Sequence, residues 1–314
     1  MADDAGEPVT TMLALLSQLA PQEGYSLTAL PDVRVLRSDR PLARTPVLYD
    51  PGIVIVCQGS ERGFFGTQVY QYDAQHYLAV SVPVPFTMET DASPQQPLLA
   101  LYLHLDFALA AEVMLGIGAD AGADEATAPQ SMMSSPMDAA MRGAVHRLLQ
   151  TLASPREAAV LGRARLREIY YRVLTGPQGD ALRAALAMRG QFGRIGRALR
   201  HIHAHYALPL GLEALAAEAG MSVPSFHSHF KAVTRSAPMQ YVKSTRLHQA
   251  RLLMVREGVS AEAACHAVGY ASPSQFSREF KRLFGLAPAA EARRLRSSFA
   301  LPPAFADAVF VSSH

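Results

Sequence analysis

With 314 residues, the chain is long enough for two ordinary domains of about 100–200 residues each. It is 49% hydrophobic and 18% charged, a globular composition, and no apolar run approaches the roughly 20 residues of a membrane span. Its two cysteines, Cys57 and Cys265, exclude a disulfide framework, and the acidic start Met1–Glu7 is not expected to act as a secretory leader, so a cytoplasmic protein is expected. The net charge of +2 hides an asymmetry: residues 189–296 carry 16 Lys+Arg against 6 Asp+Glu, a formal +10, and the rest of the chain sums to −8. A basic half beside an acidic one points to a polyanionic partner for the former.

In chain order, residues 11–20 predict a short amphipathic helix stopped by Pro21. From about 31 to 110, short β-rich runs are punctuated by Pro, Gly and Asp. Strands are expected at Val33–Arg37, Ile53–Cys57, Gly63–Phe65, Gln68–Tyr72, Tyr77–Val82 and Leu98–Asp106, forming a small antiparallel barrel or sandwich. Val54, Val56, Tyr70, Tyr77 and Val80 are expected to line its interior around an apolar or weakly polar small molecule. The Gly-, Ala-, Ser- and Met-rich stretch 116–136 reads as a flexible connection. Helices follow at Met137–Leu152 and Arg156–Leu174, the second ended by Gly176-Pro177, and a linker is expected near Gln178–Leu186.

The basic half contains an internal repeat. Ala216-Ala217-Glu218-Ala219-Gly220 is echoed by Cys265-His266-Ala267-Val268-Gly269, and Phe226, Phe230, Lys231 and Ala237-Pro238 by Phe276, Phe280, Lys281 and Ala287-Pro288. Each copy reads as helix, Gly turn, helix, with Ser222 and Ser272 expected to cap the second helices and Ser260 to start the first helix of the second copy. The i, i+4 phenylalanines read as core, and a helix through Met239–Val255 would join the copies rigidly. The second helix of such a unit can enter a major groove. The residues expected to meet DNA are Ser225, His227, Ser228 and Lys231 in copy one, beside exposed Pro224, and Ser274, Gln275, Ser277, Arg278, Lys281 and Arg282 in copy two. Arg278 suits guanine, Gln275 adenine, and the lysines phosphate.

The run Gly269-Tyr270-Ala271-Ser272-Pro273-Ser274-Gln275-Phe276-Ser277-Arg278-Glu279-Phe280-Lys281-Arg282-Leu283-Phe284-Gly285-Leu286-Ala287-Pro288 is similar to the signature of the AraC/XylS family of bacterial transcription regulators. The resemblance of the basic half spans about residues 190–296, and copy one departs from it at Pro224 and Ser228. Tyr49-Asp50-Pro51-Gly52, Gln58-Gly59 and Tyr72-Asp73-Ala74-Gln75-His76-Tyr77 resemble the N-terminal half of one AraC-type subfamily. The resemblance implies an α+β multidomain chain: an N-terminal cupin-like antiparallel β-barrel with flanking helices over 1–185, an all-α domain with two helix-turn-helix motifs over 186–300, and a tail at 301–314. It implies duplex DNA as partner, admits RNA polymerase and a small-molecule effector, and leaves monomer and homodimer open.

The alternative is a small-molecule-binding protein or cupin-type enzyme whose helical half packs or oligomerises. A metal cupin needs converging His and carboxylate ligands, whereas His76 and His104 lie far apart in sequence. His201, His203 and His205 are expected near solvent or phosphate, and only the outer two share a helix face. Cys57 reads as a small buried hydrophobe in a strand, and Cys265 as core. No catalytic residue, metal or cofactor is expected.

Overall fold

The computed structural model describes residues 11–118 and 127–298. Helix α1 (Met12–Leu19) precedes nine strands: β1 (Gly24–Leu27), β2 (Val33–Ser38), β3 (Leu42–Tyr49), β4 (Gly52–Gln58), β5 (Ser60–Phe65), β6 (Gln68–Asp73), β7 (His76–Val80), β8 (Val84–Asp91) and β9 (Leu98–His104). Then come α2 (Phe107–Ile117), β10 (Met132–Pro136), α3 (Ala139–Leu152), α4 (Pro155–Thr175) and α5 (Gly179–Leu186). The remaining described chain is helical: α6 (Gly190–His205), α7 (Leu212–Glu218), α8 (Val223–Thr234), α9 (Pro238–Leu252), a π-helical turn at Leu253–Glu257, α10 (Ala261–Ala267), α11 (Pro273–Phe284) and α12 (Pro288–Ser298).

The strands form one curled antiparallel sheet, a half-barrel of order β1-β2-β9-β4-β7-β6-β5-β8-β3, with β10 on β7. Strand alternation divides its side chains between two cores. Ile53, Ile55, Tyr77, Ala79, Leu101 and Leu103 face a layer that includes α1, α3, α4 and α5. Val54, Val56, Leu78, Val80, Ala100 and Tyr102 face into the curl with Tyr49, Tyr72, Phe86 and Met88. The register pairs Val54 with Leu78 and Ile55 with Tyr77, so Tyr77 lies on the outer, helix-covered face and not in the interior expected for it.

Several elements differ from the sequence expectation. Strand β10 falls inside the stretch expected to be flexible, because Met132 and Met133 are buried against β7; residues 119–126 of that stretch lie outside the described residues. The expected linker at 178–186 is helix α5, whose Ala181, Leu182 and Ala185 are buried. Strand β3 tolerates Pro46 because it is an edge strand paired only with β8. Cys57 is the extra residue of a bulge, since Val56 pairs with Ala100 and Gln58 with Leu99. It is therefore half-buried rather than buried, and desolvation pushes its thiol up to about 12.

Candidate nucleic-acid interface

The repeat builds two similar units, α7–turn–α8 and α10–turn–α11. Each turn contains a glycine in the left-handed region, Gly220 at φ +62° and Gly269 at φ +82°. The Phe226–Phe230 and Phe276–Phe280 ring pairs, 5.3 and 5.6 Å between centroids, are buried. These aromatics hold each unit together and are not open to stack on bases. Ser260 and Ser272 cap their helices by accepting from Ala263 N and Gln275 N. Ser222 makes no side-chain cap bond, contrary to expectation. Pro224, at the second helical position, lacks one of the two N–H groups such a cap accepts from.

With the phenylalanines inward, helix geometry turns the intervening positions outward. His227, Ser228 and Lys231 are exposed on α8, as are Ser274, Gln275, Ser277, Arg278, Lys281 and Arg282 on α11. Ser225 is only half-buried, with its carbonyl 2.8 Å and its hydroxyl 3.3 Å from His229 Nδ1. Glu279 is committed to neighbours. Tyr270 OH donates to it at 2.7 Å, Lys243 Nζ at 2.9 Å and Gln275 Nε2 at 3.2 Å. Burial raises its carboxyl, but these donors outweigh burial and hold it below the usual carboxylate range. Arg278, Lys281 and Arg282 make no ion pair among the described residues.

The histidine run separates by face. The His201 and His205 rings lie 4.4 Å apart and tilted by 35°, and His201 Nδ1 lies 3.9 Å from Glu218 Oε2. His203, expected near solvent, turns inward instead: it is buried, its Nε2 is 2.8 Å from Tyr241 OH, and burial pushes it down to about 3. Among the described residues no group of three or more His, Cys, Asp or Glu is placed to hold a metal ion.

The inner face of the sheet is largely apolar, with two buried acids and the buried Arg34 beside Asp50. Glu61 accepts from Thr90 Oγ1 at 3.0 Å, its Oε2 has no hydrogen-bond partner, and burial pushes the carboxyl up to about 7. Asp50, buried in the Tyr49-Asp50-Pro51-Gly52 turn, accepts from the Tyr102 hydroxyl and lies 2.9 Å from His104 Nδ1. A separate cleft of about 420 Å³ lies in the outer helical layer, between α2 and α4, lined by residues including Val113, Ile117, Arg167 and Tyr171.

A curled sheet followed by two helix-turn-helix units defines a regulator-type architecture, and comparison with known proteins agrees. Residues 29–181 match the family described as AraC-type transcriptional regulator N-terminus, and residues 215–294 match a helix-turn-helix domain. The chain belongs to the AraC/XylS family of transcriptional regulators. It is 32% identical over 94 residues to the HTH-type transcriptional regulator AlkR of Acinetobacter baylyi, a match covering 30% of this chain and 31% of that protein. To the MmsAB operon regulatory protein of Pseudomonas aeruginosa it is 35% identical over 96 residues, covering 31% and 30%. The chain thus spans about a third of the length of the curated relatives it matches. These relatives are regulators, not enzymes. Fatty-acid-bound ToxT from Vibrio cholerae superposes over 86% of this chain and 96% of its own, with TM-score 0.62 at 11% identity, a likeness of fold.

Proposed function

We propose that the chain is a cytoplasmic, sequence-specific DNA-binding transcription regulator whose α8 and α11 enter successive major-groove segments from one face of the duplex. The observation that carries this reading is the second unit. Ser274, Gln275, Ser277, Arg278, Lys281 and Arg282 all stand exposed on one capped helix, whose phenylalanines are buried behind them. Arg278 and Gln275 read bases; Lys281 and Arg282 neutralise phosphates. In the first unit His227, Ser228 and Lys231 contribute, with Ser225 the least accessible. Selection of duplexes from a random library by the full chain tests this: a recurrent motif with steeply salt-dependent affinity is expected, and no enrichment at low salt overturns it.

We divide the chain functionally at 185/186, close to the break between α5 and α6; the end assigned to 301–314 lies outside the described residues. The N-terminal half is read as a cupin-like sensor. The apolar inner face of the curl, with Glu61 buried within it, supports an apolar effector carrying a polar group. The fatty acid in the ToxT structure is a ligand of that kind. Contact with RNA polymerase and assembly as monomer or homodimer complete the reading.

A further inference from the structure

Helix α9 joins the two helix-turn-helix units, and one of its side chains ties the loop ahead of the first unit to the turn of the second. Arg246 Nε donates to Tyr206 O at 2.6 Å and its Nη2 to Leu208 O at 2.8 Å, in the loop that leads into the first unit. Its Nη1 donates to Gly269 O, at 3.3 Å, in the turn of the second unit. The same two segments press together directly: a Cβ added to Gly269 would stand 2.2 Å from Ala207 O. One turn before Arg246, Lys243 Nζ holds Glu279 of α11 at 2.9 Å. All three nitrogens of the Arg246 guanidinium therefore donate to backbone carbonyls, two in the loop that leads into the first unit and one in the turn of the second. A planar fork is suited to such fixed, multiple donation, and an ammonium is not. An arginine kept for phosphate would leave its fork free.

We propose that Arg246 is the positioning residue that fixes the distance and rotation between the two recognition helices, and with them the half-element separation this chain accepts on duplex DNA. The inference rests on the reading of α8 and α11 as groove readers. Adding one base pair between half-elements moves the second by about 3.4 Å and rotates it by about 35°. A tied pair of helices cannot follow that step without losing contacts, whereas an untied pair can pivot about α9.

The test uses the full chain and its selected duplex, with the two half-elements separated by one or two base pairs more or fewer. The wild type is expected to lose about tenfold or more in affinity for each one-base-pair change. Arg246→Met, which keeps much of the stem and removes the donors, is expected to bind all spacings within about threefold, with an unchanged salt slope. A folded Arg246→Met protein that keeps the sharp profile, or whose salt slope falls by about 1, overturns the inference, the latter making Arg246 a phosphate contact. Should Arg246→Met not fold, Arg246→Lys is measured instead: a broadened profile supports the proposal and a wild-type profile overturns it. A wild type that binds its selected site but ignores spacing overturns only this inference; one that selects no site overturns the function on which it rests.

Discussion

Tyr241 of the connecting helix donates its hydroxyl proton to the carbonyl of Pro83, 158 residues away in sequence and 3.0 Å away in space. His203 Nε2 stands 2.8 Å from the Tyr241 hydroxyl oxygen, so one phenol joins α6, α9 and the connection between β7 and β8. Nearby, Ser131 Oγ donates to Val233 O and Arg251 Nη1 reaches Pro46 O. The halves of the chain are thus joined by polar contacts as well as by shared apolar packing.

Tyr241→Phe strips a donor from Pro83 O and a partner from His203 inside a buried seam. Stability of the full chain is expected to fall by about 1–3 kcal/mol in urea unfolding. An unchanged midpoint would show that both groups find other partners.

Glu61 makes stability depend on pH. Burial pushes its carboxyl up to about 7 from an ordinary value of about 4.5, so between these the folded chain holds a proton the unfolded chain has lost. The contribution is fully present below the unfolded value and is lost as pH rises through about 7. Glu61→Gln, which still accepts from Thr90, is expected to gain on the order of 1–3 kcal/mol over wild type at pH 8 and little at pH 4. Equal gains at both values would place the effect elsewhere.

Arg278→Ala is expected to cost about 1–3 kcal/mol of DNA affinity and relax preference at one base pair. Lys281→Ala and Arg282→Ala should weaken all sequences alike and lower the salt slope by about 1 each. Affinities across single-base variants of the selected site separate the two behaviours; a uniform loss for Arg278→Ala would make it another phosphate contact.

Two glycines with the same φ of +82° should respond differently to alanine. At Gly285 an added Cβ meets nothing within 4 Å, so the cost is that of the left-handed backbone, about 1 kcal/mol. At Gly269 the Cβ would collide with Ala207 O at 2.2 Å, and a loss of about 3 kcal/mol or more is expected. Thermal melts of the two variants give the comparison; equal losses would mean that the Ala207 loop yields freely.

The helical repeat was readable because its determinants are local: a turn glycine, an N-terminal serine and phenylalanines four apart. The sheet is legible where strands are apolar runs, such as Ile53–Cys57, or rich in β-branched and aromatic residues, such as Gln68–Tyr72. Strands β3 and β8 carry Pro46 and Pro85, which weaken the local strand signal, and are fixed by pairing with each other and, for β8, with β5. Tyr77 followed the same limit, since apolar character does not reveal on which face of the sheet a side chain will stand. His203 and Arg246 were equally hidden. Both look like ordinary polar helix residues until Tyr241, Tyr206 and Gly269 are brought beside them from 23 to 40 positions away.

Helix α9 meets the sheet and its β7–β8 connection through Tyr241, Arg251 and Leu252, and the second helical unit and the loop ahead of the first through Lys243 and Arg246. These side chains keep their bearings only because the rod between them has a fixed number of residues. Inserting one residue after Tyr241 would swing everything beyond it by about 100° and advance it by about 1.5 Å. Lys243 and Arg246 would then lose their partners together, while Tyr241 kept its own. The rod can vary in sequence at its open positions, but its length is locked at both ends.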